Sequence, residues 1–247
     1  MSLTREEVKQ LSKIQEPYYM PVIIDKLEAH FKEYGIIETF NFIHDILKSS
    51  QEDVDATINQ RVMDGLIQNA DQSRKSVVGN AFSNCLVYTF LRAKEVNLVD
   101  DRVFVTTSTR KAMFKDYTTI HVGSETQKPD MDILFYSLES QSTKIDKCAI
   151  VSLKTSLRER AGQTYKWKLL LEIATTDNSI KDKYQLRFGA KKMPLMCFAT
   201  VNFYDEINQP QHRGMFQFFD AAFIGKQVES EFIRPLSHII DFLEKNL

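Results

Sequence analysis

Two apolar runs near the middle of the chain, each marked at one end by a charge, constrain most what it can fold into. Met131-Asp132-Ile133-Leu134-Phe135-Tyr136 is opened by Pro129-Asp130. Some twenty residues later, Cys148-Ala149-Ile150-Val151-Ser152-Leu153-Lys154 closes on a lysine. Short runs rich in β-branched and aromatic residues read as buried strands. Set side by side, two such strands bring the acid and the amine together at one edge of a sheet. By two-residue alternation Asp132 shares a face with Leu134 and Tyr136, and Ser152 shares one with Lys154.

The rest of the chain supplies a frame for such a sheet. Residues 4 to about 95 read as helices. Thr4-x-x-Glu7 is a capping-box pattern ahead of Val8, Leu11 and Ile14. Pro21 starts a second helix, with Ile24, Leu27 and Phe31 on one face and Gly35 as its stop. Ile36, Phe40, Ile43 and Leu47 continue the helical period, and a further helix covers about 53 to 68. The strongest runs from about Ser73 to Glu95, with Val78, Phe82, Leu86 and Phe90 at helical spacing. Gly79 inside it costs about 1 kcal/mol against alanine, and such a glycine often permits close approach of a neighbouring element. After Asn97 the texture turns to strands, predicted at 103–107, 118–122, the two central runs, 195–201 behind Pro194, and 214–220. A helix is predicted over 164–175 and another from about Pro235 to Lys245, and the 205–213 loop reads as the most flexible segment. Helices followed by strands mixed with helices give an α/β (α+β) class with a central mixed sheet flanked by helices.

Composition removes several function classes. The 247 residues are 43% apolar, enough for a large core. A formal net charge of −1 leaves nucleic acid open as a partner, because a basic cleft can be offset by acidic surface elsewhere. Cys85, Cys148 and Cys197 lie in apolar runs without C-x-x-C spacing, so buried thiols in a reducing cytoplasm are expected, not zinc or disulfides. The polar N-terminus argues against a signal peptide, and no run approaches the eighteen apolar residues of a membrane span. Gly-rich phosphate loops, G-x-S-x-G and H-E-x-x-H are missing, which speaks against nucleotide hydrolysis and serine or zinc hydrolase chemistry.

Lys154 also opens a longer string, Lys154-Thr155-Ser156-Leu157-Arg158-Glu159-Arg160, followed by Gln163 and Tyr165-Lys166-Trp167-Lys168-Leu169-Leu170-Leu171-Glu172. With Pro129-Asp130 upstream, this resembles the PD-(D/E)xK nucleases, and within them the type II restriction endonucleases that cut around a CCGG or CCNGG core. Arg74-Lys75-Ser76-Val77-Val78-Gly79-Asn80-Ala81-Phe82 resembles the helix before the catalytic sheet of those enzymes. That motif ordinarily ends in Glu, where this chain has Ser83. The resemblance covers roughly residues 71 to 175.

The resemblance implies a restriction-endonuclease-like core over 71–247, with residues 1–70 as a helical N-terminal region for dimerisation or for clamping DNA. It implies Mg²⁺ held by Asp130, with Asp132 as the alternative ligand, and Lys154 as the cation that positions the attacking water. Ser152 stands where an acid is usual. In the resembled enzymes a Glu of the next helix takes that acid's place; Glu172 is the candidate and Glu159 the fallback, although Glu172 lies further from Lys154 than the family spacing. Arg158, Arg160, Lys166 and Lys168 would line a groove for duplex DNA, arginine reading guanine and either cation meeting phosphate. A homodimer matching a palindromic site in the cytoplasm of a prokaryotic cell, beside a partner methyltransferase in a restriction–modification system, completes the expectation. A repair or recombination nuclease on the same core, and a DNA-binding protein that has lost catalysis, are the alternatives.

Overall fold

A computed structural model describes residues 3–157 and 161–247. The N-terminal part is a helical layer: α1 (Arg5–Gln15), α2 (Met20–Tyr34), α3 (Ile36–Thr39), α4 (Ile43–Ser49), α5 (Gln51–Met63) and α6 (Ala70–Glu95). Strands β1 (Phe104–Thr106), β2 (Ile120–Val122), β3 (Glu125–Gln127), β4 (Ile133–Leu138) and β5 (Ile145–Lys154) follow. Then come α7 (Ala161–Thr175), α8 (Ser179–Tyr184), β6 (Leu186–Phe188), β7 (Leu195–Thr200), α9 (Pro210–Phe216), β8 (Ala221–Ile224), β9 (Arg234–Pro235) and α10 (Ile239–Asn246). Among the described residues the main sheet has six strands in the order β1-β4-β5-β7-β8-β9, and β3-β2-β6 form a small second sheet.

The main sheet is mixed. β4 runs antiparallel to β5, with Ile133 opposite Val151 and Tyr136 opposite Cys148. β7 runs parallel to β5, pairing Ala149 with Leu195 and Lys154 with Thr200. β5 is buried on both faces, as a central strand covered on two sides must be. Ala149, Val151 and Leu153 face a core shared with Phe82, Phe90, Leu27 and Phe40 of the helical layer. Cys148 and Ile150 face the other core, with Leu171 of α7 and Phe216 of α9. The mixed α/β architecture expected from the sequence is therefore present. All three cysteines are free and buried, and burial pushes each thiol up, Cys148 to about 12. Among the described residues no helix is long and apolar enough to cross a membrane.

Local signals placed most helices correctly. Thr4 and Glu7 form the reciprocal capping box, and Gly35, at φ +85°, ends α2 by donating to the Phe31 carbonyl. Three expectations need correction. The 214–220 segment is not a strand: Pro210 opens α9, which buries His212, Met215 and Phe216 at helical spacing, and the strand comes later, at 221–224. The 205–213 segment is likewise no loose loop, since Glu206, Ile207 and His212 are buried in it. On α6 the buried residue is Val77 rather than Val78, and a Cβ on Gly79 would meet nothing within 4 Å. Among the described residues no element therefore closes on Gly79; its open side borders the cleft described next.

Candidate active site

The exits of β5 and β7 and the entry to β4 meet at one edge of the main sheet. A cleft of about 1960 Å³ opens there, lined by Asp130, Asp132, Lys154, the N-terminal half of α6, and parts of α1 and α5. One main-chain bond and two bonds through side chains extend the β4–β5 ladder at this corner. Asp132 N donates to the Val151 carbonyl at 3.3 Å. Leu153 N donates to Asp132 Oδ2 at 2.7 Å, and Ser152 Oγ donates to the Asp130 carbonyl at 2.7 Å. The Pro129–Asp130 turn is thus fastened over the end of β5 from two sides.

Both aspartates converge on the lysine. Lys154 Nζ lies 2.7 Å from Asp130 Oδ2 and 3.6 Å from Asp132 Oδ2. Exposure grades outward, with the side chain of Lys154 13% exposed, Asp132 34% and Asp130 52%. Burial pushes the Asp132 carboxyl above its ordinary range, outweighing the Lys154 ammonium and the Leu153 amide, which pull the other way. Ser152 is fully buried with its hydroxyl committed to a carbonyl. A carboxylate there would oppose the Asp130 carbonyl instead of donating to it. Serine at this position holds the turn through its hydroxyl.

Glu172 is not brought to this cluster. It is exposed on α7 with its Oε1 3.4 Å from Lys168 Nζ, and Lys168 is buried against both oxygens of Asp220 at 2.8 and 2.9 Å. Asp220 in turn accepts from Met196 N at 2.7 Å. Met196 lies opposite Ile150, four residues before Lys154 on β5, which puts Glu172 and Lys168 roughly 13 Å back along the sheet. The reason is geometric: α7 runs back along the sheet from its start at Ala161, so each added turn carries a side chain away from Lys154. Replacing Glu172 with glutamine should leave the cleavage rate close to wild type; a collapse of Mg²⁺-dependent cutting would return Glu172 to the site. Lys168 is likewise taken out of the expected groove by Asp220, and Lys166 is exposed on α7 outside the cleft lining. Glu159, Arg158 and Arg160 lie outside the described residues.

Two contributors carry no sequence signal, Asn84 and Glu206. Ser83, which stands where the resembled motif has Glu, lines the cleft on α6 together with Asn84. Glu206, buried in the 205–213 segment, accepts from Leu157 N at 2.8 Å just past Lys154. No local pattern marks Glu206, because its partner is contributed by a segment about fifty residues earlier.

A family model described as BsaWI restriction endonuclease type 2 matches residues 106–246, more than half of the chain. The chain belongs to this family. The matched BsaWI-family segment carries Asp130, Asp132 and Lys154 and begins after α6. A curated relative from Methanocaldococcus jannaschii, named "Putative type II restriction enzyme MjaVIP", is 27% identical over 158 residues, covering 60% of this chain and 69% of its own length. As a family member the protein is a type II restriction endonuclease, a site-specific deoxyribonuclease of a restriction–modification system, with DNA as its substrate.

Proposed function

We propose that this BsaWI-family endonuclease cuts duplex DNA at the Asp130–Asp132–Lys154 cluster in a Mg²⁺-dependent reaction. The convergence of two carboxylates on one ammonium at the edge of the cleft carries the reading. The donor set suits the ion. Mg²⁺ prefers one or two carboxylates, several waters and substrate phosphate oxygens. Among the described residues the two aspartates gain no third histidine, cysteine, aspartate or glutamate. Bound there, Mg²⁺ would neutralise charge on the scissile phosphate and favour ionisation of an attacking water.

The chain's own groups then divide the work. Asp130, the more exposed acid, offers its carboxylate to the ion, and Asp132, fixed by the Leu153 amide, offers the second. Lys154 orients the water and offsets the negative charge that grows in the transition state. Ser152 keeps the Pro129–Asp130 turn in register with β5. Purified protein should cut plasmid into discrete bands with Mg²⁺ and leave it intact with EDTA. A random smear, or cutting that survives EDTA, would count against the assignment.

The same reading extends to the helical layer. We assign residues 1–70 a clamping role beside a nuclease unit over 71–247. Support comes from Lys9 and Lys13 of α1 and Lys48 of α4, exposed residues that line the same cleft as Asp130 yet lie outside the family match. Ammonium groups so placed meet phosphate without reading sequence. The double substitution Lys9→Ala with Lys13→Ala should weaken binding to all duplexes alike and lower the salt slope of log affinity by about one per lost contact. An unchanged slope would remove α1 from the DNA surface. The Arg158-Glu159-Arg160 string supports a site of the CCGG or CCNGG group, and two-fold symmetry of such a site supports a homodimer acting in the prokaryotic cytoplasm.

A further inference from the structure

We infer that Glu206 is a positioning residue for Lys154, an inference that rests on the proposed cleavage at that lysine. Lys154 is the last residue of β5, where strand pairing ends, so its place depends on what holds the chain beyond it. Two bonds do so. Phe203 N donates to the Thr155 carbonyl at 3.1 Å. Glu206 Oε2 accepts from Leu157 N at 2.8 Å and from Ser156 Oγ at 3.4 Å. Both reach across from the segment that follows β7, the strand paired with Lys154 through Thr200.

Glu206 is itself held at the main chain. Asn202 Oδ1 accepts from Glu206 N at 2.9 Å, and Asn202 N donates to Thr200 Oγ1 at 2.9 Å. The Glu206 carbonyl accepts from His212 Nδ1 at 2.8 Å; a carbonyl cannot donate, so that nitrogen carries the proton. Asn202 adopts φ +48°, a left-handed turn that asparagine tolerates and that folds the segment back over β5. The result is a closed loop of bonds from Thr200 through Asn202 and Glu206 to Leu157, and back along the chain to Lys154. A carboxylate is costly to bury, and the charge-assisted bond from the Leu157 amide offsets part of that cost. Among the described residues no bond joins Glu206 to Asp130 or Asp132, so its effect on the proposed chemistry runs through the stretch of chain that follows Lys154.

The test uses the full chain and the duplex whose cut site is mapped from wild-type plasmid fragments. Single-turnover cleavage with Mg²⁺, DNA affinity without metal, and thermal melts are measured for Glu206→Leu, Glu206→Gln and Asn202→Ala. Glu206→Leu should slow cleavage on the order of 10- to 100-fold, the cost of a misplacement near 1 Å, with affinity nearly unchanged. Glu206→Gln keeps an acceptor for Leu157 N and should restore most of the rate, and Asn202→Ala should fall between. A folded Glu206→Leu protein cutting at the wild-type rate overturns the inference, as does a glutamine variant as slow as leucine, or a rate that falls only in step with affinity. Should the leucine variant fail to fold, the Asn202→Ala rate decides: a wild-type value overturns the inference. Wild-type protein that does not cut with Mg²⁺ would instead overturn the proposed cleavage site.

Discussion

Lys154→Ala should reduce single-turnover cleavage on the order of 10³-fold while DNA affinity stays nearly constant. The ammonium stands 2.7 Å from Asp130 and 3.6 Å from Asp132, and its side chain is 13% exposed, so removing it deletes the cation of the cluster without opening the core. Affinity should change little because one phosphate contact is a small fraction of the electrostatic term in DNA binding. Lys154→Arg is the informative companion. Arginine keeps the charge but replaces a compact ammonium with a planar fork that prefers two carboxylate oxygens at once. It should pair with Asp130 and recover little of the rate, which separates the placement of the charge from its presence. An alanine variant that cuts at the native rate would move the chemistry away from this edge of the sheet.

The parts of this arrangement that were legible in sequence share one property: their signal is local. The two apolar runs marked β4 and β5, and the charges at their ends marked the edge where Asp130, Asp132 and Lys154 meet. Alternation correctly put Ser152 on the Lys154 side of β5, yet could not say that its hydroxyl would be taken by the Asp130 carbonyl. Glu172 failed for a related reason. Its spacing from Trp167 is a one-dimensional quantity, whereas reach to the Asp130–Asp132–Lys154 cluster depends on the direction in which α7 leaves the sheet, and that helix carries residue 172 toward Met196 and Asp220. The aromatic run 214–220 has strand-like composition, but Pro210 starts a helix whose buried face then uses Met215 and Phe216. Tertiary burial overrode propensity there.

Glu7→Ala should destabilise the fold by about 3 to 5 kcal/mol, as expected when one partner of a buried ion pair is removed. The sequence shows Glu7 only as the acid of a capping box, worth about 1 kcal/mol. The structure gives it a second task. Glu7 Oε2 accepts from Thr4 N and Thr4 Oγ1, while Oε1 binds Lys94 Nζ at 2.7 Å. Both side chains are nearly sealed, at 3% and 4% exposure. Lys94 also donates to the Val103 carbonyl at 2.8 Å and lies 4.4 Å from the centre of the Phe104 ring, so it ties α6 to the entry of β1. Removing the carboxylate strands an ammonium that cannot reach water without shifting α1. In a chain of this size each kcal/mol moves the melting temperature by about 2–4 °C, so a drop on the order of 10 °C is expected in a thermal melt. Adding Lys94→Met to Glu7→Leu should recover most of that loss, because two apolar side chains fill the space without a desolvation cost. The recovery should not extend fully to DNA binding. α1 carries Lys9 and Lys13 along the cleft, and an α1 held by apolar packing alone loses the bond that fixes its rotation about its own axis. A Glu7→Ala protein melting within about 1 °C of wild type would show that Lys94 finds another partner and that α1 does not depend on this pair.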